Sequence, residues 1–83
     1  MTKKMQNILK KYESKLDAEL ICMKLGYSNF EETYKKLSKL EKEFDQLRTQ
    51  MFYYDLISTK DFEETVNIGY KMFSKAVDKA HNF

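Results

Sequence analysis

Apolar residues recur along this chain at alternating steps of three and four, the spacing that gathers them on one face of an α-helix. The rhythm is clearest in the middle, where Phe30, Thr33, Leu37, Leu40, Phe44, Leu47, Met51 and Tyr54 form the seam of a bundle helix. Before it, Met5, Ile8, Leu9, Tyr12, Leu16, Leu20 and Met23 mark a first helix. After it, Phe62, Val66, Gly69, Phe73, Ala76 or Val77, and Ala80 mark a third. Two stretches punctuate the pattern, Leu25-Gly26-Tyr27-Ser28-Asn29 and Ser58-Thr59-Lys60-Asp61. Gly26 suits the left-handed residue just past a helix end. Ser28 with Glu31, or Asn29 with Glu32, matches a capping box, in which two side chains satisfy each other's free backbone donors; Asp61 with Glu64 repeats the arrangement. Phe-Glu-Glu-Thr occurs at both starts, Phe30–Thr33 and Phe62–Thr65, but the flanks diverge, so these are similar helix beginnings and not a sequence repeat.

The pattern predicts helices over about 3–25, 29–57 and 61–81. Short breaks make consecutive helices antiparallel. The expected fold class is therefore all-α: an antiparallel three-helix bundle in a single domain, residues 1–83, with a long central helix of roughly 40 Å. The start of the first helix should lie beside Met51–Ile57, and the end of the third beside Phe30–Leu37. Gly69 in a helix interior costs about 1 kcal/mol relative to alanine, which points to a crowded position.

Composition narrows the class further. The chain is 42% hydrophobic and 34% charged, with no proline and two glycines. That is too apolar for disorder and too poor in turn residues for an all-β fold. Charges interrupt every apolar run short of the roughly 18 residues a membrane span needs, so no membrane association is expected. No apolar stretch follows Lys3 and Lys4, as a signal peptide would require. Cys22 is the single cysteine and has no disulfide partner in the chain, which fits a reducing, cytoplasmic setting. The net charge is +2, and all the basic residues except Arg48 are lysine. That bias is explained by an AT-rich genome and says little about activity.

Catalytic chemistry is not expected. His81 is the only histidine and lies near the end of the chain, where helices fray. One cysteine and one histidine fall short of a zinc site, and no metal or other cofactor is expected. Cys22 sits among Leu20, Ile21, Met23 and Leu25, the surroundings of an inert buried thiol. Glu31, Glu32, Glu63 and Glu64 mark helix starts, where negative charge complements the helix dipole. Neither glycine belongs to a phosphate-binding loop.

The informative residues are those the core does not require. At about 100° per residue, Ala18, Ile21, Cys22 and Leu25 fall opposite the buried face of the first helix. Tyr53 and Ile57 leave the seam of the second, Phe52 and Leu56 lie on its flank, and Ile68 falls on the polar side of the third. A domain of this size buries only about 60–65% of its unfolded surface, and a longer central helix would leave an overhang. Ile21, Leu25, Phe52, Tyr53, Leu56 and Ile68 are therefore the candidate partner-binding residues. The expected function is a small non-catalytic protein-binding module (an inhibitor, adaptor or assembly factor) that docks on a protein partner or pairs with itself into a larger helical bundle. Phage- and plasmid-encoded inhibitors of host machinery include many short chains of this kind. The alternative is a nucleic-acid-associated protein using Lys71, Lys75 and Lys79, a row at i,i+4 spacing that could contact phosphates but carries little base-reading capacity. A phosphotransfer role would need a mid-helix histidine or aspartate and ranks last.

Overall fold

A computed structural model describes all residues from Met1 to Phe83. The chain is a three-helix bundle: α1 spans Lys3–Lys24, α2 Phe30–Tyr53 and α3 Thr59–His81. The helices run up, down and up, so α1 and α3 are parallel to each other and both antiparallel to α2. The molecule is a rod of 42 × 16 × 16 Å.

Each helix begins on a side-chain cap. Thr2 Oγ1 accepts from the Met5 N–H at 3.2 Å, Asn29 Oδ1 from Glu32 at 2.8 Å, and Ser58 Oγ from Asp61 at 3.1 Å. The cap of α2 thus falls on Asn29, one of the two positions read from the sequence. The cap of α3 does not fall on Asp61. Ser58 starts the helix earlier, so Asp61 lies in its first turn, where its charge faces the dipole.

The turns share one design. After α1, the Tyr27 N–H reaches back to the Cys22 carbonyl at 2.9 Å and Gly26 to Met23 at 3.1 Å. After α2, Leu56 reaches Met51 at 2.8 Å and Asp55 reaches Phe52 at 3.1 Å. Both are Schellman closures with a left-handed residue at the hinge, Gly26 at φ 85° and Asp55 at φ 57°. The second closure ends α2 at Tyr53, short of the expected 57. The helix then has 24 residues against 22 and 23 for its neighbours, so the expected long central helix and its overhang are absent. Ile57, placed off the seam by extending the helix through it, is instead turned inward and only 5% exposed.

The core holds Met5, Tyr12, Leu16 and Leu20 of α1, Leu37, Phe44 and Met51 of α2, Ile57, and Phe73, Ala76 and Ala80 of α3. Phe44 is its centre: the Tyr12 ring meets it edge-on at 5.4 Å, and the Phe73 ring lies 6.0 Å away. Gly69 faces this ring, and a Cβ there would stand 2.9 Å from Phe44 Cε1, which is the crowding its mid-helix position implies. The expected pairing of the end of α3 with the start of α2 is seen directly. Phe30 stacks on His81 at 4.4 Å at one pole, and Phe52 on Phe62 at 4.8 Å at the other. Tyr54 and Val66, counted on the seams, are exposed.

The shared tetrapeptide has a structural counterpart. Thr33 and Thr65 are both fully buried. The Thr33 hydroxyl pairs with Ser28 Oγ at 2.9 Å, while the Thr65 hydroxyl donates to the carbonyls of Asp61 and Phe62 at 2.9 and 2.8 Å. A buried hydroxyl must be satisfied, and each finds its partner within a turn of its own helix start.

Candidate functional site

The six candidate partner-binding residues are all solvent-facing: Ile21 55%, Leu25 65%, Phe52 38%, Tyr53 78%, Leu56 53% and Ile68 41% exposed. They do not form one patch. Phe52, Tyr53 and Leu56 ring the α2–α3 turn at one pole of the rod. Leu25 belongs to the opposite pole, where α1 ends. Ile68 lines a groove between these poles, and Ile21 the hollow that continues it.

That groove runs lengthwise between α1 and α3, the two helices with no direct connection. Leu9, Ile68 and Met72 line it above the buried core side chains Leu16, Leu20 and Ala76, and its volume is about 260 Å³. From Leu9 to Leu20 the α1 wall is roughly 16 Å long, about three helical turns. A shallower hollow bounded by Asp17, Leu20, Ile21, Lys24, Lys79 and Phe83 continues it toward the upper pole.

The two walls differ in charge. Glu13 and Asp17 line the α1 side, and Lys71, Lys75 and Lys79 line the α3 side. None of the five closes an ion pair within the chain. The ion pairs lie elsewhere: Lys36–Glu19 at 3.6 Å between α2 and α1, Lys35–Glu31 at 3.6 Å and Arg48–Asp45 at 3.0 Å along α2, and the terminal ammonium with Asp61 at 3.6 Å. The lysine row is thus one wall of a two-signed groove, not an isolated basic stripe. The α1 carboxylates were the part missed by reading helix 3 alone; only the fold puts Glu13 and Asp17 across from those lysines.

The remaining polar side chains serve the scaffold. Arg48 lays its guanidinium over the rings of Phe44 and Phe62 at 5.7 and 5.2 Å, joining α2 to α3. Tyr12 is the one group whose acidity is clearly moved: burial raises its phenol above the ordinary value, with a further push from the Glu43 carboxylate. His81 is exposed and stacked on Phe30, and Cys22 is half-buried. No three His, Cys, Asp or Glu side chains converge as a metal site, and no helix is long and apolar enough to cross a membrane.

These features define an all-α three-helix bundle with a charge-divided groove along its α1–α3 seam. No family model, curated protein or solved structure matches the chain.

Proposed function

We propose that this chain is a small non-catalytic protein-binding module, of the inhibitor, adaptor or assembly-factor kind, and that the α1–α3 groove is its docking surface. The groove's apolar floor between oppositely charged walls carries the reading. An open trough about three helical turns long matches the apolar stripe of an amphipathic helix, which is read through anchors at i, i+3, i+4 and i+7. The charges add orientation, because a helix seated the wrong way places like charges together.

Nucleic-acid binding through Lys71, Lys75 and Lys79 has less support. Glu13 and Asp17 share the same groove, and a phosphate backbone approaching the lysines would meet their repulsion.

A photo-crosslinking side chain placed at Lys71 on the groove, and in a second variant at Lys42 on the exposed face of α2, tests the reading in extracts of the native host. Adducts to protein are expected from Lys71 and not from Lys42, and Ile68→Asp should abolish them. Equal adducts from both positions, or adducts indifferent to Ile68→Asp, would show that the groove is not the docking surface.

A further inference from the structure

We infer that the occupant of the groove is a second copy of this chain, related by a two-fold axis running along the groove, so that α1 of each copy lies against α3 of the other. The inference rests on the groove being a docking surface and names what fills it.

The argument begins with level. The groove is bounded on α1 by Leu9 and Leu20 and on α3 by Ile68 and Lys79. Both walls advance by the same number of residues, and α1 and α3 run parallel. Glu13 therefore stands level with Met72, between Lys71 and Lys75 in height, and Asp17 stands level with Ala76, between Lys75 and Lys79. A two-fold axis parallel to the helices exchanges α1 and α3 across an interface without changing level. It sets Glu13 and Asp17 of one copy against the lysine row of the other, and does so twice. A two-fold axis perpendicular to the helices would instead lay α1 on α1 and α3 on α3, carboxylate on carboxylate and lysine on lysine. Charge thus selects one of the two symmetric ways of closing the groove.

Two further observations favour a copy over a foreign helix. The five charges lack partners within the chain, and the symmetric arrangement gives them partners at the right level, which an unrelated helix would have to match on both flanks. Second, a lengthwise face of a rod 42 Å long and 16 Å wide approaches the about 800 Å² per partner that stable interfaces bury. In the dimer, α1 and α3 of both copies form a four-helix core, with Leu9, Met72 and the exposed Ile68 turned into it.

Solution mass tests the inference through a charge exchange. Light scattering of the wild-type chain should give a dimer of 10.0 kDa subunits. The E13K/D17K and K71E/K75E variants, each checked for unchanged helical circular dichroism, should each weaken self-association on the order of tenfold or more. Mixed in equal amounts, they should recover it, because both α1–α3 contacts of the mixed dimer are again opposite in sign. Variants that stay as dimeric as the wild type, or a mixture that stays monomeric, overturn the arrangement. A wild type that is monomeric at every concentration overturns the second copy alone, and groove adducts from Lys71 would then show a different occupant. A wild-type dimer unmoved by both charge variants and by Ile68→Asp places the dimer contact elsewhere and overturns the second copy; Lys71 adducts lost in Ile68→Asp would then show another protein in the groove, and their absence would overturn docking there as well.

Discussion

Asp55 holds a left-handed backbone, φ 57°, at the hinge that stops α2. The matching hinge after α1 uses Gly26, which has no Cβ to crowd the following carbonyl. An L-residue other than glycine pays roughly 1–2 kcal/mol in that conformation, somewhat less for Asp or Asn. Replacing Asp55 with Gly should therefore raise unfolding stability by about 0.5 kcal/mol, after allowing for glycine's greater freedom in the unfolded chain. In thermal melts this amounts to an upward shift of about 2–4 °C. An unchanged or lower midpoint would mean that the Asp side chain compensates locally for its backbone.

Between elements, α3 passes tightly over the Phe44 ring of α2 at Gly69. Alanine would gain about 1 kcal/mol of helix propensity, but its Cβ would sit 2.9 Å from a ring already held by Tyr12 and Phe73. Overpacking of this kind costs about 1–3 kcal/mol, so Gly69→Ala should lower the urea midpoint despite the better helix former. This position was legible in the sequence because a glycine in a helix interior needs a reason. The core faces of all three helices were legible too, since the three-four spacing of Met5, Tyr12, Leu16, Phe44 and Phe73 admits one inward direction. The end of α2 was not. Its stop is an aspartate in a glycine's conformation, and aspartate's modest tolerance of that backbone does not single out Asp55 from the chain's other aspartates. The error carried over to Ile57, whose direction depends on where the helix ends. The groove was half legible: Ile68 and the lysine row stood out on α3, but Glu13 and Asp17 are ordinary solvent-face residues until α1 is set beside α3.

At the scale of the whole bundle, Tyr12 ties stability to pH. Burial, followed by the Glu43 carboxylate, raises its phenol above the ordinary value of about 10. Once the pH passes that ordinary value, the unfolded chain has released the phenolic proton while the folded one still holds it. The folded state then binds more protons, so its stability falls with rising pH until the buried phenol ionises as well. Denaturant unfolding at neutral and strongly alkaline pH should show a loss in the wild type that Tyr12→Phe reduces. Equal losses in both proteins would assign the alkaline transition to other groups.

The same burial has an optical consequence. The chain contains six tyrosines and no tryptophan, and Tyr27, Tyr34, Tyr53, Tyr54 and Tyr70 all face water. Near-ultraviolet difference absorption on unfolding is therefore dominated by a single chromophore, set where α1 meets the Phe44 ring. The protein carries its own label for core dissolution, and a probe at the groove or the poles can be timed against it without adding a dye.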